Sequence, residues 1–111
     1  MNIAVVGSRD FTDYNLLSDT LNEEDITLII SGGASGADSL AEEYAHEHKI
    51  PLEVHRPDWD HYGKRAGYVR NKEIVSRSDK VIAFWDGKSQ GTKHSIEIAK
   101  YQKKPVRVVA V

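Results

Sequence analysis

The chain has no cysteine. This excludes a disulfide framework, a thiolate nucleophile, a Cys-ligated zinc and an iron–sulfur cluster, and it is consistent with a reducing compartment. Charge of one sign is also missing: fifteen Lys and Arg stand against seventeen Asp and Glu, a formal net charge of −2. Non-specific nucleic-acid binders carry a basic excess, because neutralised phosphates supply their affinity. The balance therefore argues against nucleic acid as a partner, although it is compatible with a local basic patch. No apolar run exceeds about six residues, far below the roughly 20 of a membrane-spanning helix. The opening Met1-Asn2-Ile3-Ala4-Val5-Val6-Gly7 lacks a basic leader and a signal-length apolar core, and reads as a strand. The expected address is the cytoplasm, with no membrane partner.

What is present is one domain of 111 residues, large enough to bury roughly two-thirds of its unfolded surface without staples. Short apolar runs at Ile3–Val6, Ile26–Ile30, Leu52–His55, Val81–Trp85 and Val106–Val111 alternate with amphipathic segments at about Tyr14–Asn22, Asp38–His48, Lys64–Ser76 and His94–Gln102. Leu40, Ala41, Tyr44, Ala45 and His48 recur on one face of a helix. Five strands separated by helices imply parallel pairing through right-handed crossovers, hence an open three-layer α/β sheet. Strands one, two and four are continuously apolar, as expected when both faces are covered. Strand three alternates, and strand five carries Arg107 after Pro105, so both suit edges. The expected order is 3-2-1-4-5, with its switch point between strands one and four, where such sheets bind ligands at the strand carboxyl ends.

Each central strand runs into small polar residues there. Strand one ends in Gly7-Ser8-Arg9-Asp10-Phe11: a sharp turn, a hydroxyl donor and a guanidinium fork suited to phosphate or carboxylate. A plain turn with Arg9 in solvent is the competing reading. Strand two ends in Ser31-Gly32-Gly33-Ala34-Ser35-Gly36-Ala37-Asp38 before a helix. Its glycines let backbone amides approach an anion, which the helix start also favours. The strict dinucleotide fingerprint fails because Ser31 stands at the first glycine, and no P-loop is complete around Gly87-Lys88-Ser89. Asp38 serves as a helix-start acid or as an acceptor for a ribose hydroxyl. Strand four ends in Trp85-Asp86-Gly87-Lys88-Ser89-Gln90-Gly91-Thr92, a second such turn at the same crevice. Two turns flanking one switch point are explained together by a phosphorylated, nucleotide-like ligand.

The segment from Asp58 to Asn71 interleaves Trp59, Tyr62 and Tyr68 with Lys64, Arg65 and Arg70, a composition able to stack a base and clamp a phosphate, or simply a solvated helix face. The five histidines lack carboxylate companions at zinc spacing, so no metal and no cofactor are expected. No nucleophile elbow or Ser-His-Asp order is legible.

Taken together, Gly7-Ser8-Arg9-Asp10-Phe11, Ser31-Gly32-Gly33-Ala34-x-Gly36-Ala37-Asp38, Asp58-Trp59-x-x-Tyr62-Gly63-Lys64-x-Ala66-Gly67-x-x-Arg70-Asn71 and Ala83-Phe84-Trp85-Asp86-Gly87-x-Ser89-x-Gly91-Thr92 resemble the YspA/YpsA-related branch of the SLOG superfamily, which unites Smf/DprA-type and LOG-type Rossmann-like domains of bacteria and phages. The resemblance spans nearly the whole chain. It implies a Rossmann-like domain over residues 1–111 that binds a nucleotide or nucleotide-derived small molecule, as a sensor, at the carboxyl edge of the sheet. The binding role passes to Gly7, Ser8, Arg9, Ser31, Gly32, Gly33, Gly36, Asp38, Ser89, Gly91 and Thr92, with Arg70 and Asn71 matching the branch's RN motif. The enzymatic relatives, LOG-type phosphoribohydrolases, cleave an N-glycosidic bond and carry an acid three residues after the signature threonine. Here that position is Ser95 and the nearest acid is Glu97, so the N-glycosidase alternative needs a substitute carboxylate, Asp10, Asp38 or Asp86, and the reading leans away from an enzyme. The DprA-type relatives imply a second alternative, a single-stranded-DNA-binding module. A homodimer that builds its pocket from two chains is compatible with a domain of this size.

Overall fold

Apolar runs too short for a helix become strands, and the segments with 3.6-residue periodicity become helices. The computed structural model describes residues 1–111. The elements are β1 (Asn2–Gly7), α1 (Tyr14–Asn22), β2 (Leu28–Ser31), α2 (Ala37–Glu47), β3 (Leu52–Val54), α3 (Trp59–Tyr62), a 3-10 turn (Gly63–Arg65), α4 (Ala66–Arg77), β4 (Lys80–Trp85), α5 (Gln90–Tyr101) and β5 (Val106–Ala110). The sheet is wholly parallel in the order β3-β2-β1-β4-β5, as the strand chemistry predicts. β1 and β4 bury every residue but their ends, whereas β3 and β5 stay partly exposed at the edges.

The period of two along β1 divides the core into two layers. Ile3 and Val5 face Leu17 and Leu21 of α1 and Ala41, Tyr44 and Ala45 of α2. Ala4 and Val6 face Ile74 and Val75 of α4 and Ile96 and Ala99 of α5. Fully burying a side chain of the Val or Ile kind contributes roughly 1.5–3 kcal/mol, so β1, sandwiched between both layers, anchors the sheet and fixes where its carboxyl end emerges.

Three boundaries differ from the sequence expectation by more than one residue, each for a local reason. β2 starts at Leu28 rather than Ile26, because its pairing partner β1 begins at Asn2, opposite Leu28. The third helical segment starts at Ala66 rather than Lys64, because Gly63–Arg65 form a 3-10 turn. A short helix not expected from the sequence, α3, precedes it and is terminated by Gly63 with a φ of 59°. α5 begins at Gln90, four residues before the apolar pattern shows it, because the Ser89 side chain accepts the Thr92 amide and caps the helix. The Gly91-Thr92 pair therefore occupies the first helical turn rather than a loop.

Candidate functional site

The turns after β1, β2 and β4 meet above the switch point because their backbones interlock. Gly36 has a φ of 76°, and a Cβ there would lie 2.3 Å from the Ser8 carbonyl oxygen and 2.4 Å from that of Arg9. Only glycine permits that backbone and that approach. The next amide, Ala37, donates to the Ser8 carbonyl at 3.3 Å, which ties the β1 turn to the start of α2. On the other side, the Ser8 Oγ accepts the Asp86 amide at 3.3 Å. Asp86 is itself held by the amides of Lys88 and Ser89, both at 2.8 Å. These two amide bonds keep the Asp86 carboxyl below its ordinary range.

Between these turns lies a polar cavity of about 420 Å³. Of the predicted site residues, Gly7, Ser8, Arg9, Asp38, Arg70, Asn71, Ser89, Gly91 and Thr92 line it, as does Asp86. Gly32 and Gly33 instead line an adjoining cleft of about 490 Å³ that shares Arg9, Ala34 and Arg70 with the first. Ser31 and Gly36 line neither. Ser31 is fully buried, and its hydroxyl donates to Glu42 at 2.9 Å while accepting the Gly33 amide at 3.2 Å. Strand periodicity accounts for this: Ser31 shares its face with Ile29, towards α2. Both residues shape the loop without bordering the space.

Asp38 and Arg70 flank Gly32, and a Cβ on that glycine would lie within 3 Å of both. Burial pushes the Asp38 carboxyl up to about 6, opposed by the Ala34 amide, which donates to it at 3.1 Å, and by the nearby Arg70 charge. Arg70 donates to the Gly32 carbonyl at 2.8 Å and, through Nε, to Asn71 Oδ1 at 3.0 Å. Asn71 in turn spans α4 and α5, with its Nδ2 3.4 Å from the Gly91 carbonyl and 3.3 Å from His94 Nδ1. Opposite, the helix start of α5 presents backbone amides, of which Thr92 and Lys93 are satisfied by Ser89. The arrangement offers guanidinium and amide donors on two sides and one buried carboxyl able to donate or accept near neutral pH.

A family model described as the YspA, cpYpsA-related SLOG family matches residues 1–62. This chain belongs to that family. It is also 35% identical to the Gene 61 protein of Mycobacterium phage D29, over 94% of this chain and 92% of that protein. Among solved structures, DNA processing protein A (DprA) from Streptococcus pneumoniae matches with a TM-score of 0.83 and 19% identity, over 99% of this chain and 50% of that one. DprA from Helicobacter pylori, solved for its single-stranded DNA binding mode, matches with a TM-score of 0.69 and 25% identity, over 97% of this chain and 64% of that one. The chain thus spans half to under two-thirds of the DprA chains it matches.

One expectation is overturned by this comparison. The near-neutral charge argued against nucleic acid as a partner, yet the Helicobacter protein, which contains this fold, binds single-stranded DNA. Net charge sums the whole surface, whereas phosphate contacts draw on a local set of cations. The membrane expectation reduces to a plain observation: no helix is long and apolar enough to cross a bilayer.

Within this SLOG-family frame, the position of the LOG-type acid is instructive. Ser95 is 1% exposed and donates to the Gly91 carbonyl at 3.2 Å. Glu97 lies away from the crevice, paired at 4.0 Å with Lys93 on the outer side of α5. The carboxylates bordering the crevice are Asp10, Asp38 and Asp86. Asp10, a candidate substitute carboxylate, lines the cavity; the expected binding set left out Lys88 and Ser95, which also line it, and Arg56, which borders the cleft. Arg56 follows edge strand β3, so its position at a strand carboxyl end was the available signal.

Proposed function

We propose that the crevice binds a nucleotide-derived small molecule, with its phosphate against Arg9, Arg70 and the first amides of α5. The observation that carries this reading is the pairing of Arg70, oriented by Gly32 and Asn71, with a capped helix start across one polar cavity. The volume, about 420 Å³, falls in the roughly 300–1,000 Å³ range of small-molecule sites. Asp38 supports recognition of a ribose hydroxyl, since a carboxyl near pH 6 can accept or donate. Isothermal titration against nucleoside mono- and diphosphates, cyclic nucleotides and ADP-ribose tests the proposal. Binding of at least one, weakened at least tenfold by Arg70→Met, is expected; silence across the panel refutes it.

The Helicobacter relative supports a second reading, in which the nucleotide unit belongs to single-stranded DNA. Gel retardation of an oligonucleotide that weakens steeply with salt would favour it, and no retardation at low salt would remove it. The hydrolytic alternative draws support only from the buried Asp38 carboxyl. Release of free base from the same panel, abolished by Asp38→Asn, is its test.

A further inference from the structure

The cleft beside the main cavity holds a charge arrangement that a single phosphate does not require. Arg56 Nη1 donates to the Gly33 carbonyl at 3.2 Å, and Arg70 Nη1 donates to the preceding carbonyl, Gly32, at 2.8 Å. Consecutive carbonyls thus each hold one guanidinium at the cleft, which Arg9 also borders. The glycine pair makes this possible, because a Cβ at Gly33 would lie 2.7 Å from Arg56 Nη1 and one at Gly32 would lie 2.6 Å from Arg70 Nη1.

None of the three arginines lies within ion-pair distance of a carboxylate, whereas Arg77 and Arg107 are both paired. No acidic residue borders the cleft, in contrast to the three that border the main cavity. Cations lining one cleft without a counter-charge are unfavourable in the free protein, as Arg9 is for Arg70, and Arg56 and Arg70 each keep N–H donors beyond those bonds. At the open side stands Trp59, 55% exposed. It projects over α4 at Gly67, where even an added Cβ would come no closer than 3.9 Å to the ring. An exposed indole beside guanidiniums is a platform for a flat aromatic group.

We infer that this cleft is a second phosphate subsite with a stacking platform, so that the ligand class is a nucleotide carrying two phosphate groups, its base against Trp59. The inference rests on the nucleotide reading of the main cavity and adds to it a second anion site and a base position. Arg9 and Arg70, common to both spaces, would bridge the two phosphates, and Arg56 would hold the outer one. A free diphosphate and two successive phosphates of a single strand present the same chemistry.

Titration calorimetry with AMP, ADP, pyrophosphate and the 5′-phosphorylated dinucleotide pApA separates these cases in wild type, Arg56→Ala and Trp59→Ala. Both substitutions are at exposed positions, and a thermal melt confirms folding. Wild type is expected to bind ADP or pApA at least tenfold more tightly than AMP, and which of the two gains identifies the source of the second phosphate. Arg56→Ala should shrink that gap to within about threefold. Trp59→Ala should weaken ADP and pApA several-fold more than pyrophosphate. AMP binding with no gain from a second phosphate, or a gap that survives Arg56→Ala, overturns the second subsite and leaves the nucleotide reading standing. No binding by any of the four overturns the subsite, and the nucleotide reading falls with it when the wider panel of nucleotides is silent as well.

Discussion

Asp38→Asn is expected to stabilise the free protein at neutral pH and to leave it unchanged in mild acid. The carboxyl is 8% exposed, and burial raises it from 3.8 to about 6 against the opposing pull of the Ala34 amide and Arg70. A folded-state value above the unfolded one means that the folded protein holds this proton more tightly. The stability it contributes is complete below about pH 4 and is lost as pH rises through about 6. At about 1.4 kcal/mol per pH unit, the rise makes ionised Asp38 a liability of about 3 kcal/mol above pH 7. Asparagine never ionises, and its carbonyl oxygen can still accept from Ala34, a contact of 3.1 Å in the parent. Any misfit of its amide group against Arg70 is shared with protonated Asp38, so it largely drops out of the pH dependence. Urea melts of both proteins between about pH 4 and 8, compared at equal m, measure the difference directly. It should grow from near zero to about 3 kcal/mol, equivalent to a gain on the order of 10 °C in melting temperature. A difference that stays flat with pH, or an Asn variant less stable at neutrality, would refute the reasoning. Either result would mean that Arg70 and the loop amides compensate the carboxylate more than burial penalises it. A variant that gains stability while losing ligand would mark Asp38 as a residue kept for function.

Gly36→Ala should destabilise the fold by about 2–4 kcal/mol, since it combines a left-handed backbone with backbone atoms 2.3–2.5 Å from the new Cβ. Gly91→Ala, where nothing lies within 4 Å in the first turn of α5, should instead be neutral or stabilising by up to about 1 kcal/mol; denaturant melts compare the pair. Lys104 donates to the carbonyls of Val75, Ser76 and Ser78 at 2.6–2.8 Å and so caps the end of α4. Lys104→Met should cost about 1–3 kcal/mol by leaving those carbonyls without their charged donor, measured by the same melts.

The strand order was legible because burial on both faces and burial on one leave different patterns. Ile82, Ala83 and Phe84 form an unbroken apolar run in a central strand, whereas Glu53 between Leu52 and Val54 betrays an edge. The convergence of Gly7, Ser8, Asp38, Ser89 and Thr92 on one cavity followed from topology alone, since a switch point gathers strand ends. What stayed hidden depends on three dimensions. The start of α5 carries no apolar periodicity, because Gln90 is exposed, Gly91 and Thr92 line the crevice, and the Ser89 cap sets the boundary. Ser31 and Gly36 have the chemistry of ligand contacts, but one is turned to Glu42 by strand parity and the other is filled by the β1 turn. Arg56 lies outside every glycine-rich turn, and only the parallel registration of β3 beside β2 brings it to Gly33.

That registration also explains how a chain with a net charge of −2 can concentrate positive charge. At the amino edge of the sheet, Lys80 and Arg107 meet Glu24 at 2.7 and 3.0 Å, and Arg107 also meets Glu23 at 3.0 Å. Beside β3, Arg77 pairs with Glu53. These pairs consume cations where the fold needs only neutrality, and they hold Glu24 and Glu53 below their ordinary carboxylate range. At the carboxyl edge, the one acid close to Arg70 is Asp38, and burial biases it towards losing its charge. Above pH 7 it is ionised at a cost in stability, and it forms no ion pair with Arg9, Arg56 or Arg70. A fold selected for stability alone would bring carboxylates into ion pairs with these arginines, as it does around Arg107. The separation of paired cations at one edge from unpaired ones at the other is therefore the electrostatic pattern that the proposed anion site requires.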